Sequence, residues 1–130
     1  MSIQARLNYY WHSPKFHLKK EQQILHIAYH FIAPAIIVAL FFRSDWKRVY
    51  IILMLTMLVD LDHLLATPIY DPTRCSVGFH PLHRFLAIAL YALMSVLPKP
   101  RVVRILGLGL MIHMALDSID CQFTNGVWYQ

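Results

Sequence analysis

The sequence predicts an all-α fold, an integral-membrane four-helix bundle with an interfacial N-terminal segment. Of the 130 residues, 58% are hydrophobic and only 15% are Asp, Glu, Lys or Arg, and the mean hydropathy is +0.47. A soluble domain is usually about 45–50% apolar and about 25% charged. The apolar residues are concentrated in four runs, at 24–42, 49–66, 82–97 and 104–119, and the chain has the length of a single domain.

Residues 1–23 precede the first run and are predicted to lie in the membrane interface. Aromatic residues alternate there with lysines, which is typical of segments whose rings lie at headgroup level while the lysines reach towards water. The residues concerned are Tyr9, Tyr10, Trp11, Lys15, Phe16, Lys19 and Lys20. A partly ordered tail is the alternative, and His12 and His17 are assigned to solvent. Residues 24–130 then form the four-span domain.

The first two runs are predicted to form membrane-spanning helices. Run 24–42 is longer than the apolar part of a signal peptide and lacks a small-residue cleavage site, so we expect it to persist as a span. Pro34 lies within it and should kink it, which membrane helices tolerate. Run 49–66 should end at Thr67-Pro68, because a proline disfavours the helical conformation in the residue before it.

The last two runs, 82–97 and 104–119, are shorter than the about 20 residues that cross a bilayer. Their ends are therefore expected in the headgroup zone. Gly107 and Gly109 in the fourth run should allow close helix packing. The loop at 67–81 is rich in proline, so it is predicted to be constrained rather than helical, and loops of this length often carry binding residues.

Histidines and acids cluster at four run ends that should meet on one membrane face. A chain that crosses four times brings the starts of its first and third spans, and the ends of its second and fourth, to the same side. The residues are His26, His30, Asp60, Asp62, His63, His80, His83, His113, Asp117 and Asp120. Ionisable side chains are costly in lipid and indicate function by default, so the clusters predict a site at that face.

The spacing within the clusters is that of metal ligands on helices. His26 and His30 are four residues apart, as are His113 and Asp117, so each pair shares a helix face. Mixed imidazole and carboxylate donors suit Zn²⁺ or another first-row divalent ion. The predicted metal ligands are His26, His30, Asp60, His63, His80, His83, His113 and Asp117.

Asp62 and Asp120 are predicted to be catalytic residues that transfer protons, although either could instead orient a ligating histidine. On an α-helix Asp62 lies about 200° around from Asp60 and could face elsewhere. Because the ligands outnumber those of one tetrahedral zinc, the set suits one or two ions, and two ions about 3.5–4 Å apart would support hydrolysis. A site at headgroup depth favours a lipid phosphoester as substrate.

Other functions stay open at this point. A metal-binding or metal-transport protein without hydrolysis would use the same residues, although the distal halves of all four runs are apolar. Histidines at helix ends are often only hydrogen-bonded, so a structural membrane subunit is a third hypothesis. Basic residues are scattered rather than interleaved with aromatics, which argues against nucleic-acid binding. Membrane lipids are the expected partners, and self-association into an oligomer stays open.

Three stretches resemble a family of small, uncharacterised, four-span bacterial membrane proteins: LHIAYHFIAP, TMLVDLDHLLATPIYDPTRCSVGFHPLH and GLMIHMALDSIDC. The likeness covers residues 24–121. The DLDH element and the later HxxxD pair are also similar to inner-membrane metal-dependent hydrolases, and through them distantly to zinc-dependent phospholipases C. This resemblance implies a zinc hydrolase with the ligands His30, Asp60, His63, His83, His113 and Asp117. The chain lacks the larger soluble helical domain of those phospholipases and has a single HxxxD pair.

The basic residues in the turns and the two cysteines provide evidence about the membrane orientation of the chain. Short basic turns at 43–48 and 98–101 favour the cytoplasm by the positive-inside rule. The chain is therefore predicted to be a multi-pass protein of the bacterial inner membrane with its site facing the periplasm. Cys75 and Cys121 both fall on the site face. A periplasmic site would allow them to form a disulfide, whereas a cytoplasmic site would leave free thiols or soft metal ligands.

Overall fold

The computed structural model describes residues 14–69, 71, 73–98 and 100–130, with the backbone alone for residues 14–20. This part of the chain contains helices and loops but no strand, which confirms the all-α class. The α-helices are α1 (Pro14–Phe41), α2 (Trp46–Leu55), α3 (Phe85–Val96) and α4 (Arg101–Asn125). Three 3₁₀ segments join them, at Arg43–Asp45, Thr56–Leu65 and Pro81–His83.

Helix α1 begins at Pro14 rather than at residue 24, where the first span was predicted to start. Proline is favoured in the first turn of a helix, where its missing N–H group would have no intrahelical partner. The predicted interfacial segment is therefore helical from Pro14 onwards. Residues 1–13, with His12, lie outside the described residues, as does the side chain of His17.

The second run is not the continuous α-helix that was predicted. Helix α2 gives way to the 3₁₀ segment Thr56–Leu65. At the junction the Thr56 hydroxyl donates a hydrogen bond to the carbonyl of Leu53 at 2.6 Å, and such bonds compete with regular helix geometry. Because a 3₁₀ helix has three residues per turn, Asp60 and His63 lie above one another on the same side.

The third and fourth runs also differ from their predicted bounds. Pro81–His83 forms a separate 3₁₀ turn and Arg84 is extended, so α3 begins only at Phe85 and has 12 residues. Helix α4, in contrast, runs past the predicted end at residue 119. It ends where Gly126 adopts the left-handed conformation (φ 72°), a frequent terminator of helices. The predicted helix was too short because its end was placed next to Asp117 and Asp120, where the apolar run ends.

Helix α4 lies at the centre of the fold and packs against the other three α-helices and the segment Thr56–Leu65. Glycines allow the closest approaches: a Cβ atom at Gly107 would lie 2.5 Å from the backbone nitrogen of Ser95 in α3. A Cβ atom at Gly109 would lie 2.7 Å from Cγ2 of Thr56. These contacts fix the rotation of α4 about its axis, and hence the direction of the polar side chains near its end.

Two apolar clusters form the core, and the outer surface is also apolar. The clusters consist of Val38, Val49, Leu53 and Ile105, and of Val59, Tyr91 and Met114. Large side chains point outwards, for example Ile51 (59% exposed) and Leu86 (85% exposed). Two of the described helices, Glu21–Phe41 and Arg101–Asn125, are long and apolar enough to cross a membrane, while Phe85–Val96 is apolar but shorter.

Candidate metal centre

Histidines and aspartates from four elements meet at one end of the bundle. The residues are His26 and His30 from α1, Asp60, Asp62 and His63 from the 3₁₀ segment, His83 from the following 3₁₀ turn, and His113, Asp117 and Asp120 from α4. The structure thus brings all the predicted site residues except His80 into one network of contacts between imidazoles and carboxylates.

Asp117 lies at the centre of this network. Its side chain is only 2% exposed, and each carboxylate oxygen faces two imidazoles. Oδ1 lies 3.3 Å from Nε2 of both His26 and His30. Oδ2 lies 3.1 Å from Nε2 of His83 and 3.4 Å from Nε2 of His113. Four imidazoles from three elements therefore converge on one carboxylate.

Asp60 also contacts two of these imidazoles, those of His83 and His113. Its Oδ1 lies 3.4 Å from Nε2 of His83 and 3.0 Å from Nε2 of His113. Together with Asp117 these residues offer four donor atoms that all lie within 4.8 Å of one another, and His26, His30 and Asp117 form a second such group. Asp117 belongs to both groups and faces each with a different oxygen.

The spacing of the donor atoms around Asp117 fits metal coordination better than direct ion pairing. Charge-assisted N–H···O bonds are usually about 2.7–2.9 Å long, whereas the contacts of this carboxylate measure 3.1–3.4 Å. A tetrahedral ion with ligand bonds of about 2.0–2.1 Å separates its donor atoms by about 3.3–3.4 Å. The distances therefore match those between neighbouring ligands of a shared cation.

Three buried polar atoms without hydrogen-bond partners support the same assignment, namely Nε2 of His30, Nε2 of His83 and Oδ2 of Asp117. A fourth such atom in the described part of the chain, Nδ1 of His113, does not, because His113 faces Asp60 and Asp117 with Nε2. Nδ1 of His30 donates to the carbonyl of His26 at 2.9 Å, and Nδ1 of His83 donates to Asp62 at 3.1 Å. A neutral imidazole that donates from Nδ1 carries its lone pair on Nε2. In both rings that lone pair points into the cluster, as a ligand nitrogen requires.

The formal charge of the cluster matches two divalent ions. With neutral imidazoles, the four carboxylates of the cluster, from Asp60, Asp62, Asp117 and Asp120, carry a charge of −4. Two divalent cations would offset it. Uncompensated charge is costly in a buried site, which applies to Asp62 and Asp117 (3% and 2% exposed), while Asp60 and Asp120 are 40% and 38% exposed.

Asp62 orients histidines in this arrangement. Its Oδ2 accepts hydrogen bonds from the backbone N–H of Leu82 (2.8 Å) and from Nδ1 of His83 (3.1 Å), and its Oδ1 accepts one from Nδ1 of His63 (3.0 Å). Carboxylates that hold ligating histidines in this way are a common feature of metal sites. Its side chain is 3% exposed, so the contacts are those of an orienting group, one of the two roles that the sequence left open.

His63 and His80 are placed differently from the other predicted ligands. Both ring nitrogens of His63 have hydrogen-bonding partners, since Nε2 lies 3.0 Å from Oγ of Ser76 and Nδ1 faces Asp62. The His80 ring stacks on that of His63, with 3.8 Å between centroids. Burial lowers the pKa of His80 to about 4, so its ring is neutral at pH 7. His80 belongs to neither donor group around Asp117.

Asp120 lies at the edge of the centre. Its Oδ1 is 3.7 Å from Nδ1 of His26, and its side chain is 38% exposed. It is therefore positioned to orient His26 and to face incoming solvent or substrate at the same time. Its predicted role in proton transfer stays a prediction.

A cleft of about 320 Å³ gives access to the centre. Asp60, His63, Ser76, Asp117 and Asp120 are among the residues that line it. One wall is the loop after the 3₁₀ segment, and a disulfide between Cys75 and Cys121 joins this loop to α4. The cysteines are therefore paired, which was one of the two states that the sequence left open.

Two contributors to the site were not predicted, namely Ser76 and the backbone N–H of Leu82. Ser76 lies in an irregular loop, where no helical periodicity indicates which way a side chain points. Its position directly after Cys75 was the only local signal. The Leu82 N–H group lies in the first turn of the 3₁₀ segment Pro81–His83, where helices leave N–H groups without intrahelical partners.

The comparison with known families gives one match. A profile described as a family of unknown function, DUF6122, matches residues 20–124. No curated protein and no solved structure matches the chain. The matched range contains every residue of the histidine and aspartate network, but the description gives no activity. The resemblance to metal-dependent hydrolases and to four-span membrane proteins therefore stays a prediction.

Proposed function

We propose that this chain, which belongs to the DUF6122 family of unknown function, is a membrane-embedded hydrolase. It would depend on bound metal and act at the bilayer surface. The observation that carries the proposal is the buried Asp117 carboxylate, which faces four imidazole nitrogens at 3.1–3.4 Å. We assign one cation to His26, His30 and Asp117, and a second to Asp60, His83, His113 and Asp117. Zn²⁺ is the preferred ion because the donors are imidazole nitrogens and carboxylate oxygens.

Hydrolysis is the chemistry that such a pair of ions commonly supports. Divalent ions in such sites lower the pKa of a bound water and polarise the oxygen of the bond that is cleaved. The chain itself contributes a buried carboxylate shared by both ions, an orienting Asp62, and the part-exposed carboxylates of Asp60 and Asp120 that face the cleft. These groups bind and orient substrate and ions, and Asp120 is placed to exchange protons with solvent.

Three features support the membrane setting. The bundle exposes large apolar side chains on its outer surface, which soluble monomers seldom do over large areas. Two helices have the length and composition of spans. The ten α-helical and ten 3₁₀ residues of Trp46–Leu65 rise about 15 Å and about 20 Å, enough to cross a hydrocarbon core about 30 Å thick.

The disulfide and the basic turns support the orientation that we propose. Disulfides persist in oxidising compartments, and Cys75–Cys121 lies at the rim of the cleft. Arg43, Lys47 and Arg101 lie at the opposite end of the bundle, in the short turns that favour the cytoplasm. We therefore assign the cleft to the periplasmic face of a bacterial inner membrane, where lipid headgroups are the nearest polar substrates.

A lipid phosphoester is the substrate class that we propose. Arg74 lines the cleft together with the histidines and aspartates. Its guanidinium donates to the carbonyl of Pro68 (2.9 Å), lies 4.6 Å from the centroid of the Phe79 ring and 3.9 Å from Oδ2 of Asp71, and its side chain is 10% exposed. Arginine side chains that are held in this way are well suited to bind phosphate.

Metal content is the first test of this function. The protein, purified in detergent without chelator, should carry two divalent ions per chain by elemental analysis. His113→Ala should lose one ion, because His113 belongs to only one donor group. His80→Ala, which removes a buried imidazole outside both groups, should keep both ions. Wild-type protein without bound metal would contradict the proposal and favour a structural role.

Turnover is the second test. Metal-loaded protein should release the soluble phosphorylated headgroup from phosphatidylglycerol vesicles, and His113→Ala should not. If a fully metal-loaded protein cleaved no lipid phosphoester, ester or amide, the hydrolase assignment would be wrong while the metal site would stand. Metal uptake into proteoliposomes would then identify the alternative, a transport protein.

A further inference from the structure

Ser76, His63 and Asp62 form a chain of hydrogen bonds beside the metal cluster. Oγ of Ser76 lies 3.0 Å from Nε2 of His63, and Nδ1 of the same ring lies 3.0 Å from Oδ1 of Asp62. The serine thus meets one edge of the imidazole and the carboxylate meets the other. A nucleophile, a base and a group that orients the base have this arrangement in enzymes that use an activated serine.

The hydrogen-bonding partners fix the direction of these bonds. A carboxylate can only accept, so Nδ1 of His63 donates to Asp62 and the lone pair of a neutral ring lies on Nε2. The Ser76 hydroxyl must then donate to Nε2. Asp62 is itself held by two further donors, the N–H of Leu82 and Nδ1 of His83. The imidazole is therefore set to accept the serine proton.

The backbone around Ser76 holds its side chain in place. Its carbonyl accepts hydrogen bonds from the N–H groups of Phe79 (3.3 Å) and His80 (3.2 Å), which closes a tight turn. The preceding residue, Cys75, is tied to α4 by the disulfide. The His80 ring stacks on His63 from the other side. The hydroxyl is thus positioned by a rigid loop, as a reactive group must be.

Ser76 and His63 line the same cleft as Asp60, Asp117 and Asp120. Nδ1 of His63 also lies 3.6 Å from Oδ1 of Asp60, so the proton acceptor is directly adjacent to a residue assigned to the metal centre. A substrate phosphate in the cleft can therefore meet the serine oxygen and the metal centre together. Asp62, His63 and His83 also form a third group of donor atoms within 4.8 Å of one another, and both ring nitrogens of His63 already have hydrogen-bonding partners.

We propose that Ser76 is the nucleophile of the hydrolase, that His63 is its general base, and that Asp62 is a positioning residue for His63. The proposal rests on the proposed function, because it assigns the attacking atom for the same lipid phosphoester. It makes the reaction a two-step displacement through a covalent serine intermediate.

Each step balances. In the first, Oγ of Ser76 forms a bond to phosphorus, its proton passes to Nε2 of His63, and the bond from phosphorus to the lipid alkoxide breaks. The alkoxide leaves as an alcohol after it takes the proton from His63. In the second step, a water oxygen bonds to phosphorus, its proton passes to His63, and the Ser76 Oγ–P bond breaks. His63 then returns the proton to the serine.

A covalent label on the serine tests the proposal without requiring turnover. The full-length protein in detergent is treated with an alkyl fluorophosphonate, in which activated serine displaces fluoride from phosphorus, and the adduct is mapped by mass spectrometry. We expect one adduct, on Ser76, and none in Ser76→Ala. His63→Gln should slow labelling by about 10²–10⁴-fold, the usual contribution of a general base. Ser95→Ala is the matched control, because Ser95 donates to the carbonyl of Ala92 within α3 and lies outside the cleft.

The possible results distinguish the assignment of Ser76 as the nucleophile from the proposed metal-dependent hydrolase function. Metal content of Ser76→Ala should remain at two ions per chain, which also shows that the variant folds. If wild-type protein cleaves phosphatidylglycerol, forms no Ser76 adduct and keeps its rate in Ser76→Ala, the nucleophile assignment is overturned and the hydrolase stands. If Ser76 is labelled in a protein that binds no metal, the serine assignment is supported and the metal dependence is overturned.

Discussion

Replacing Asp117 by asparagine should abolish the metal centre while leaving α4 in place. Asparagine has the same shape as aspartate, but it is neutral and offers only one oxygen. The wild-type carboxylate faces His26 and His30 with Oδ1, and His83 and His113 with Oδ2. One substitution therefore removes a charged donor from both ions at once.

The size of the effect follows from the number of donors in each group. One group has three donor residues and the other has four, and Asp117 is common to both. Loss of an outer-shell partner typically lowers metal affinity by about 10–100-fold. Loss of a charged ligand should exceed the upper end of that range for each ion, or more than about 2.7 kcal/mol by the usual conversion.

Zinc titration against a chromophoric chelator, in detergent, measures the effect. Wild-type protein should bind two ions, and Asp117→Asn should bind none at free zinc concentrations that saturate the wild type. Asp120→Asn is the matched control, because it is the same substitution on the same helix, three residues away. The Asp120 side chain is 38% exposed, and its carboxylate lies 3.7 Å from a single imidazole, that of His26. It should keep both ions and lose at most about 10-fold in affinity.

An Asp117→Asn variant that binds two ions with unchanged affinity would refute the reasoning, since no carboxylate could then be shared between them. A variant that loses one ion only would show that Asp117 serves a single site. Circular dichroism of the metal-free proteins separates loss of ligation from loss of fold.

Four further results are expected. Asp62→Asn should weaken zinc binding by about 10–100-fold without changing its stoichiometry, because it orients ligands rather than binding the ion; an unchanged affinity in the same titration would count against that role. Chelation of the metal should lower the free energy of unfolding by about 2.7 kcal/mol per ion at 100-fold saturation, seen as a lower melting temperature. Gly107→Ala should cost about 1–3 kcal/mol, because its Cβ would meet the α3 backbone; an unaltered melting temperature would show that the helices can separate. Cys121→Ser opens a cross-link between residues 46 apart and should cost about 4 kcal/mol in reversible unfolding, an effect that reductant should reproduce in wild-type protein.

The sequence predicted the site residues well wherever helical periodicity and chain topology determine the direction of a side chain. The i, i+4 pairs His26/His30 and His113/Asp117 lie on regular α-helices, so their shared faces could be read from spacing. Because successive helices alternate in direction, these pairs could also be expected to meet the polar ends of the other runs. The all-α class followed from composition and from the lengths of the apolar runs.

The sequence was less informative where the backbone leaves the α-helix. The switch to 3₁₀ geometry at Thr56 changes the angle per residue, so the α-helical argument about Asp62 could not place its side chain. Ser76 lies in a loop whose shape depends on the disulfide and on turn hydrogen bonds between distant residues. The prediction of His63 as a ligand rested on its spacing from Asp60 and on the resemblance of the DLDH element, neither of which could show that its ring nitrogens face Asp62 and Ser76.

The short length of α3 has a consequence for the loop above it. Twelve residues rise about 18 Å, about 12 Å less than a 30 Å hydrocarbon core, so α3 alone would not cross the membrane that we propose. The turns that carry Ser76 and His83 directly precede α3, and their backbone groups bond to one another: Gly78 N–H to the His83 carbonyl, and His83 N–H to the His80 carbonyl, both at 2.9 Å. Irregular backbone survives at that depth only when it is satisfied within the protein or lines an aqueous cavity. In the membrane setting that we propose, the loop would meet both conditions as a re-entrant segment, and water and headgroups would reach the site through the cleft.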